Sequence, residues 1–168
     1  MGQKVTKKQH NSRMCFVCGL KNVAGLQASF YETEGSALVA VFTPQEQHQS
    51  YPGRMHGGIA ATILDETIGR AIMVGNEDQV WGVTLEFNVS YKKPVPLGVE
   101  LKVVGRITED GKRIFSGTGE IILPDGEVAV TGHGKYMKVP LDRIAESGLS
   151  ELDWEVVPEE GDPVEIKF

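Results

Sequence analysis

The segment Gly57–Val74 constrains the fold more than any other part of the chain. On a helical wheel Ile59, Ala60, Ile63, Leu64, Thr67, Ile68 and Ala71 cover more than half of the circumference. A helix with so wide an apolar face must be largely enclosed by other elements. At about 18 residues it would run roughly 27 Å. The flanking sequence supplies the enclosure. Leu26–Tyr31 and Ala37–Thr43 read as two strands joined at Glu34-Gly35. Beyond the helix the period becomes two: Leu85, Phe87, Val89 and Tyr91 alternate with Thr84, Glu86, Asn88 and Ser90. Val99, Leu101 and Val103 open another strand, and Asp110-Gly111 marks a tight hairpin. Ile114–Leu123 is its return, Pro124-Asp125-Gly126 a second turn, and Val128–Val139 the last strand. The order ββ-helix-ββββ predicts an α+β fold in which a strongly curved antiparallel sheet wraps one long central helix. Gly117, Gly119, Gly132 and Gly134 lie inside the last two strands, where they predict curvature or a close backbone approach.

These elements occupy residues 14–139, one domain of a 168-residue chain. Residues 1–13 are expected to be a flexible arm and 140–168 a tail packed on or trailing from the domain. The tail holds one short helical possibility at Leu141–Glu146. A net charge of −6 argues against nucleic acid as a partner. No stretch approaches the roughly 20 apolar residues of a membrane span. Residues 1–14 lack the apolar core of a secretory signal, and the only cysteines are Cys15 and Cys18. A cytoplasmic location is therefore expected. Their C-x-x-C spacing is at best half of a zinc site; completing it needs two more ligands, such as His10 and a distant histidine, which nothing marks, so no metal or cofactor is expected. Met1-Gly2 with Thr6 matches the degenerate myristoylation pattern, with Lys7-Lys8 as a basic second signal, and chance accounts for so loose a match.

Two features carry chemistry. The helix pattern contains three charges, Asp65, Glu66 and Arg70. Glu66 precedes Arg70 by four residues, the favourable order for a helical ion pair. Asp65 has no such account: its neighbours at three and four residues are Ala61, Thr62, Ile68 and Gly69. Burying an unpaired carboxylate is costly unless it is protonated or wet. Asp65 is therefore either a functional acid or a solvent-facing one. It lies on a stripe of small residues, Gly58, Ala61, Thr62 and Gly69, which leaves room for another backbone or a ligand. The second feature is His56-Gly57-Gly58 at the helix start, where free backbone N–H groups favour an oxyanion. The bland alternative is a glycine-rich turn with His56 capping the loop.

The run His56-Gly57-Gly58-Ile59-Ala60-Ala61-Thr62-Ile63-Leu64-Asp65-Glu66 resembles the active-site helix of PaaI-like hotdog-fold acyl-CoA thioesterases. Cys15-Phe16-Val17-Cys18-Gly19, Val83-Thr84-Leu85-Glu86-Phe87 and the later Tyr91, Lys93 and Pro94 extend the resemblance over about residues 14–139. It implies a hotdog fold and hydrolysis of an acyl-CoA thioester to free acid and CoA. It implies Asp65 as general base or nucleophile and the Gly57 N–H, with Gly58, as oxyanion donor. His56 would orient the carbonyl or the loop beneath it, and Thr84 would place water or the acid from the neighbouring subunit. Relatives carry Asn or Gln six residues before the histidine. Here that position is Ser50, with Gln49 and His48 beside it as substitutes.

Asp65 lies eight residues after Gly57, about 12 Å along one helix, so a single copy cannot easily bring both to one carbonyl. A homodimer, alone or as half of a tetramer, is therefore expected, with Asp65 of one copy facing Gly57 of the other. The small-molecule partner, acyl-CoA, is multiply anionic, and Lys92, Lys93, Lys112, Arg113 and Lys135 are candidate phosphate contacts. Glu66 also neighbours this substrate site in sequence. Two other readings compete. One is a hotdog acyl-CoA binding or sensor module without turnover. The other is a hydratase or dehydratase, which lacks a suitably spaced second histidine.

Overall fold

The computed structural model describes residues 2–76, 80–140, 143–144 and 154–168. Strands β3 (Ser29–Thr33) and β4 (Leu38–Phe42) precede helix α1 (Gly57–Arg70). After it come β5 (Val80–Tyr91), β6 (Leu101–Asp110), β7 (Ile114–Ile122) and β8 (Val128–Pro140). With β1 (Gly2–Lys8) and β10 (Glu165–Lys167) they form one eight-stranded sheet in the order β10-β1-β3-β4-β6-β7-β8-β5. Every pairing in it is antiparallel. This is the expected α+β layout, a long antiparallel sheet around a single central helix. No helix among the described residues is long and apolar enough to cross a membrane.

Helix α1 packs on β4 through β8. Ala60, Ile63, Leu64, Thr67 and Ile68 are fully buried against them. The approach is close at the Thr67–Ile68 turn because glycines line the sheet beneath it. Gly105, Gly119 and Gly132 are cross-strand neighbours on β6, β7 and β8. A Cβ on Gly105 would lie 2.8 Å from the Thr67 carbonyl oxygen, and one on Gly119 2.9 Å from Ile68 Cγ1. The glycines therefore form a shallow seat whose shape matches the Thr67–Ile68 turn of α1.

Several element ends differ from the sequence expectation: β5 begins at Val80 rather than Val83 and β6 at Leu101 rather than Val99, and two further ends have a clear cause. The helix stops at Arg70 and one 3-10 turn, Ala71–Met73, carries the chain on. Val74 is extended and Gly75 takes φ +72, so the last expected residues of the helix are a turn. Strand β3 starts at Ser29, because Leu26 and Ala28 donate their N–H groups to Phe16 and Val17 carbonyls instead.

The chain ends differ more. Over Gly2–Lys8 the expected arm is a strand, paired with β3 on one side and β10 on the other. Its main-chain hydrogen bonds hold it, since Val5 is its only large apolar residue. Segment Trp154–Glu155 (β9) pairs with Asn11–Ser12 (β2), so the described part of 140–168 lies on the domain. The helical possibility at Leu141–Glu146 falls largely outside the described residues.

The glycine seat yields a direct test. Gly119→Val should lower stability by about 1–3 kcal/mol through overpacking against Ile68. Combining it with Ile68→Ala should cost less than the sum of the two single changes, as read by urea unfolding.

Candidate active site

Asp65 lies on the flank of α1 that meets β5 and β8. These two strands pair so that Thr84 sits directly opposite Tyr136. Both hydroxyls reach the Asp65 carboxyl. Thr84 Oγ1 lies 2.9 Å from Oδ1 and 3.1 Å from Oδ2. Tyr136 Oη lies 3.1 Å from Oδ1 and 3.2 Å from the Asp65 main-chain oxygen. Tyr136 is itself buried and stacked on Phe115, with ring centroids 5.0 Å apart. A register shift between Thr84 and Glu86 bulges β5 at this point, a device that re-aims side chains beside functional sites. Gly69 admits the Tyr136 ring, whose Cε1 would stand 3.3 Å from a Cβ there.

The electrostatics follow from this packing. Burial raises the Asp65 carboxyl above the usual carboxylate range, the Thr84 and Tyr136 hydroxyls partly offset it, and the Glu66 charge adds to the rise. Burial, with the adjacent carboxylate, pushes the Tyr136 phenol well up, so it remains a donor at neutral pH. No cation touches the Asp65 carboxyl among the described residues. Glu66 and Arg70 pair with each other at 2.7 Å. Asp65 is thus a desolvated acid held by two neutral hydroxyls, the arrangement expected of a tuned proton acceptor.

The second half of the site is the start of α1. His56 caps the helix, its Nδ1 accepting from the Gly58 N–H at 2.9 Å. This fixes the proton of a neutral His56 ring on Nε2 and commits the Gly58 N–H. The Gly57 N–H has no acceptor among the described residues, as expected for a first-turn donor. Tyr91 Oη donates to the Gly57 carbonyl at 2.7 Å, tying the helix start to the end of β5. Beside it opens a cleft of about 450 Å³ lined by Ser50, Tyr51, Arg54, Gly57, Lys92 and Lys93, among others.

The structure gathers most sequence candidates into these two groups and leaves six elsewhere: Gln49, His48, Glu66, Lys112 and Arg113 in the β6–β7 hairpin, and Lys135 on β8. Asp65 and Thr84 meet, and Tyr136 joins them. Ser50, Gly57, Lys92 and Lys93 share the cleft, where Lys93 is paired with Glu127. Gln49 accepts the Gly53 N–H within its own turn. His48 is buried, with Nδ1 accepting from Gln45 N–H at 2.8 Å and Nε2 at 3.0 Å from the Ala24 carbonyl, so it braces the loop. Glu66 is held by Arg70. Sequence reasoning missed Tyr136 and Arg54. Tyr136 was findable only from the β8–β5 pairing, which is a long-range fact. A larger groove of about 810 Å³ lies against the C-terminal segment. Glu100, Glu159, Glu160, Asp162 and Glu165 line it, a poor match to a polyanion.

With this geometry, likeness to known proteins is informative. The sequence profile of the Thioesterase superfamily matches residues 52–130, from the helix start into β8. Mouse acyl-coenzyme A thioesterase 13 is 31% identical over 77 residues, 46% of this chain and 54% of that protein. Over that span the chain is similar to the thioesterase superfamily. The chain's hotdog fold is shared with the E. coli PaaI protein of the phenylacetic acid degradation operon. That likeness has a TM-score of 0.61 at 17% identity, covering 68% of this chain and 80% of that one. A Bacillus halodurans protein solved with CoA gives a TM-score of 0.54 at 28% identity, covering 60% of this chain and 70% of that one. The chain spans about half the length of the first curated relatives it matches.

The desolvation of Asp65 has a consequence for stability. A carboxyl whose pKa is raised by folding binds its proton more tightly in the native state, so its ionisation lowers stability as pH rises above the unfolded value near 3.8. Asp65→Asn should therefore be more stable than wild type at pH 7. The difference should vanish as pH falls below that value, as measured by thermal unfolding across the range.

Proposed function

We propose that this protein hydrolyses acyl-CoA thioesters at a site shared between two copies of the chain. The observation that carries the reading is the Asp65 carboxyl, half-buried and held by Thr84 and Tyr136 with no cation against it among the described residues. In this reading Asp65 acts as general base. Water attacks the thioester carbonyl carbon as its proton passes to Asp65. The oxygen takes up negative charge against the Gly57 N–H of the other copy. The tetrahedral centre collapses, the C–S bond breaks, and the CoA thiolate takes the proton back from Asp65. Direct attack by the carboxylate, followed by hydrolysis of the anhydride, uses the same groups.

The helix geometry supports a second copy. Gly57 and Asp65 of one chain are about 12 Å apart along α1, too far to serve one carbonyl. The sheet offers a place for that copy. β5 is an edge strand of 12 residues, and Val83 and Leu85 stand exposed on it. A long apolar edge of this kind favours pairing with another chain.

The cleft at the helix start suits the CoA moiety. Lys92 and Arg54 border it as cations without an ion-pair partner among the described residues, which supports a role for them in holding phosphates. Lys93 shares its charge with Glu127, so its contribution is smaller. Ser50 lines the same cleft and can donate a hydrogen bond to the thioester in place of the amide that relatives carry.

Thiol release from a panel of acyl-CoA thioesters tests the proposal. Asp65→Asn should lower kcat by at least ~100-fold, within the range for loss of a positioned acid–base group. Glu66→Gln, which weakens the pair with Arg70 and removes a minor contribution to the raised Asp65 pKa, should lower it slightly. Arg54→Glu should raise KM with a smaller effect on kcat. Equal losses at Asp65 and Glu66, or binding of acyl-CoA without turnover, would favour a binding module instead.

A further inference from the structure

Cys15 and Cys18 take no part in the site described above, yet they are built into a defined cluster. They lie in one tight turn, closed by the Gly19 N–H donating to the Cys15 carbonyl at 2.8 Å. A side chain at Gly19 would overlap the Cys15 backbone, with its Cβ 2.7 Å from Cys15 N. The two sulfurs and a Glu66 carboxylate oxygen all lie within 4.8 Å of one another. Each sulfur receives hydrogen-bond donors. The Val17 N–H meets Cys15 Sγ at 3.3 Å. The Ser12 N–H meets Cys18 Sγ at 3.4 Å and Arg70 Nη2 meets it at 3.0 Å.

The donor set has the composition of a metal site, but Arg70 argues for a different chemistry. Its guanidinium donates to Cys18 Sγ and, at 2.7 Å, to Glu66 Oε1. It is buried, bonded to the His10 carbonyl at 2.8 Å, and stacked 4.3 Å over Phe30 and 4.7 Å over Trp154. A divalent ion would have to enter beside this fixed cation and take its acceptors. The positive charge the sulfurs need is already built in.

Access separates the two sulfurs. Cys15 is half-buried, whereas Cys18 is fully buried. A soluble reagent can therefore reach Cys15, and Cys18 is reached through Cys15. We propose that this pair is a thiol–disulfide exchange site, with Cys15 as attacking and Cys18 as resolving sulfur, which closes to an intramolecular disulfide with a low-molecular-weight disulfide as oxidant. The protonation of the pair suits this order. The hydrogen bond from the Cys18 thiol lowers Cys15 to about 6, while the same bond and burial push Cys18 well up. Cys15 is then largely thiolate at neutral pH, close to the optimum for attack.

The steps balance. The Cys15 thiolate bonds one sulfur of the oxidant, whose S–S bond breaks to expel the first small thiolate. Cys18 gives up its proton, bonds Cys15 sulfur and expels the second. Two electrons pass from the cysteines to the oxidant, and one disulfide becomes two small thiols.

Oxidised glutathione is the probe, added to the full-length protein at neutral pH and followed by intact mass and thiol counting. Wild type should lose the mass of two hydrogen atoms and both titratable thiols, and dithiothreitol should restore them. Cys18→Ser should stop at a glutathione adduct on Cys15, and Cys15→Ser should form no adduct. Three results would overturn the proposal: both thiols persisting in wild type, an adduct on Cys18 in Cys15→Ser, or a retained metal ion that shields both sulfurs. The wild-type measurement needs no substitution, so a poorly folding variant leaves the test intact.

Discussion

The close seating of α1 on a stretch of sheet without side chains sets the rest of the structure. Gly105, Gly119 and Gly132 bring the Thr67–Ile68 turn within van der Waals reach of β6, β7 and β8. That depth fixes where the neighbouring flank of the helix meets β5 and β8. Asp65, two residues before Thr67, is thereby pressed between Thr84 and Tyr136. A side chain of ordinary size at any of these glycines would lift the helix and loosen the contacts that hold the carboxyl. The seat and the acid are therefore parts of one design, with packing energy holding a polar group where it is costly to ionise.

In the proposed reaction that cost is what suits Asp65 to act as a base. A carboxylate paired with Arg or Lys would be a weak base, whereas desolvation with only neutral donors raises its basicity. Glu66, next in sequence, shows the contrast: it faces Arg70 and belongs to a structural network that includes the Cys15–Cys18 turn. Adjacent acids on one helix thus have different environments, as the 100° step between residues requires. One points to strands β5 and β8, the other to the loop before β3.

Much of this was legible in the chain. The wide apolar face of α1 predicted an enclosing sheet, and the alternation from Val83 to Tyr91 and the turn signals at Asp110-Gly111 and Asp125-Gly126 located its strands. The glycines within β7 and β8 announced a close approach. Asp65 stood out because no helical neighbour could pair with it. The missing parts depend on contacts distant in sequence. Gly2–Lys8 is a strand by virtue of partners at Ser29–Thr33 and Glu165–Lys167, and its own residues carry little apolar pattern. Tyr136 reads as a routine strand aromatic until the β8–β5 register puts it opposite Thr84. Arg54 sits in a loop whose path along the cleft is set by the bridge from Arg54 to Pro96, far along the chain.

The central claim is that folding raises the basicity of Asp65 while two hydroxyls hold it in place. Titration of the Asp65 side-chain carboxyl carbon by NMR, in the wild type and in Tyr136→Phe, measures this directly. The wild-type carboxyl should titrate above the ordinary aspartate value, and loss of the Tyr136 donor should move it higher still. A wild-type carboxyl titrating at or below that ordinary value would contradict the account.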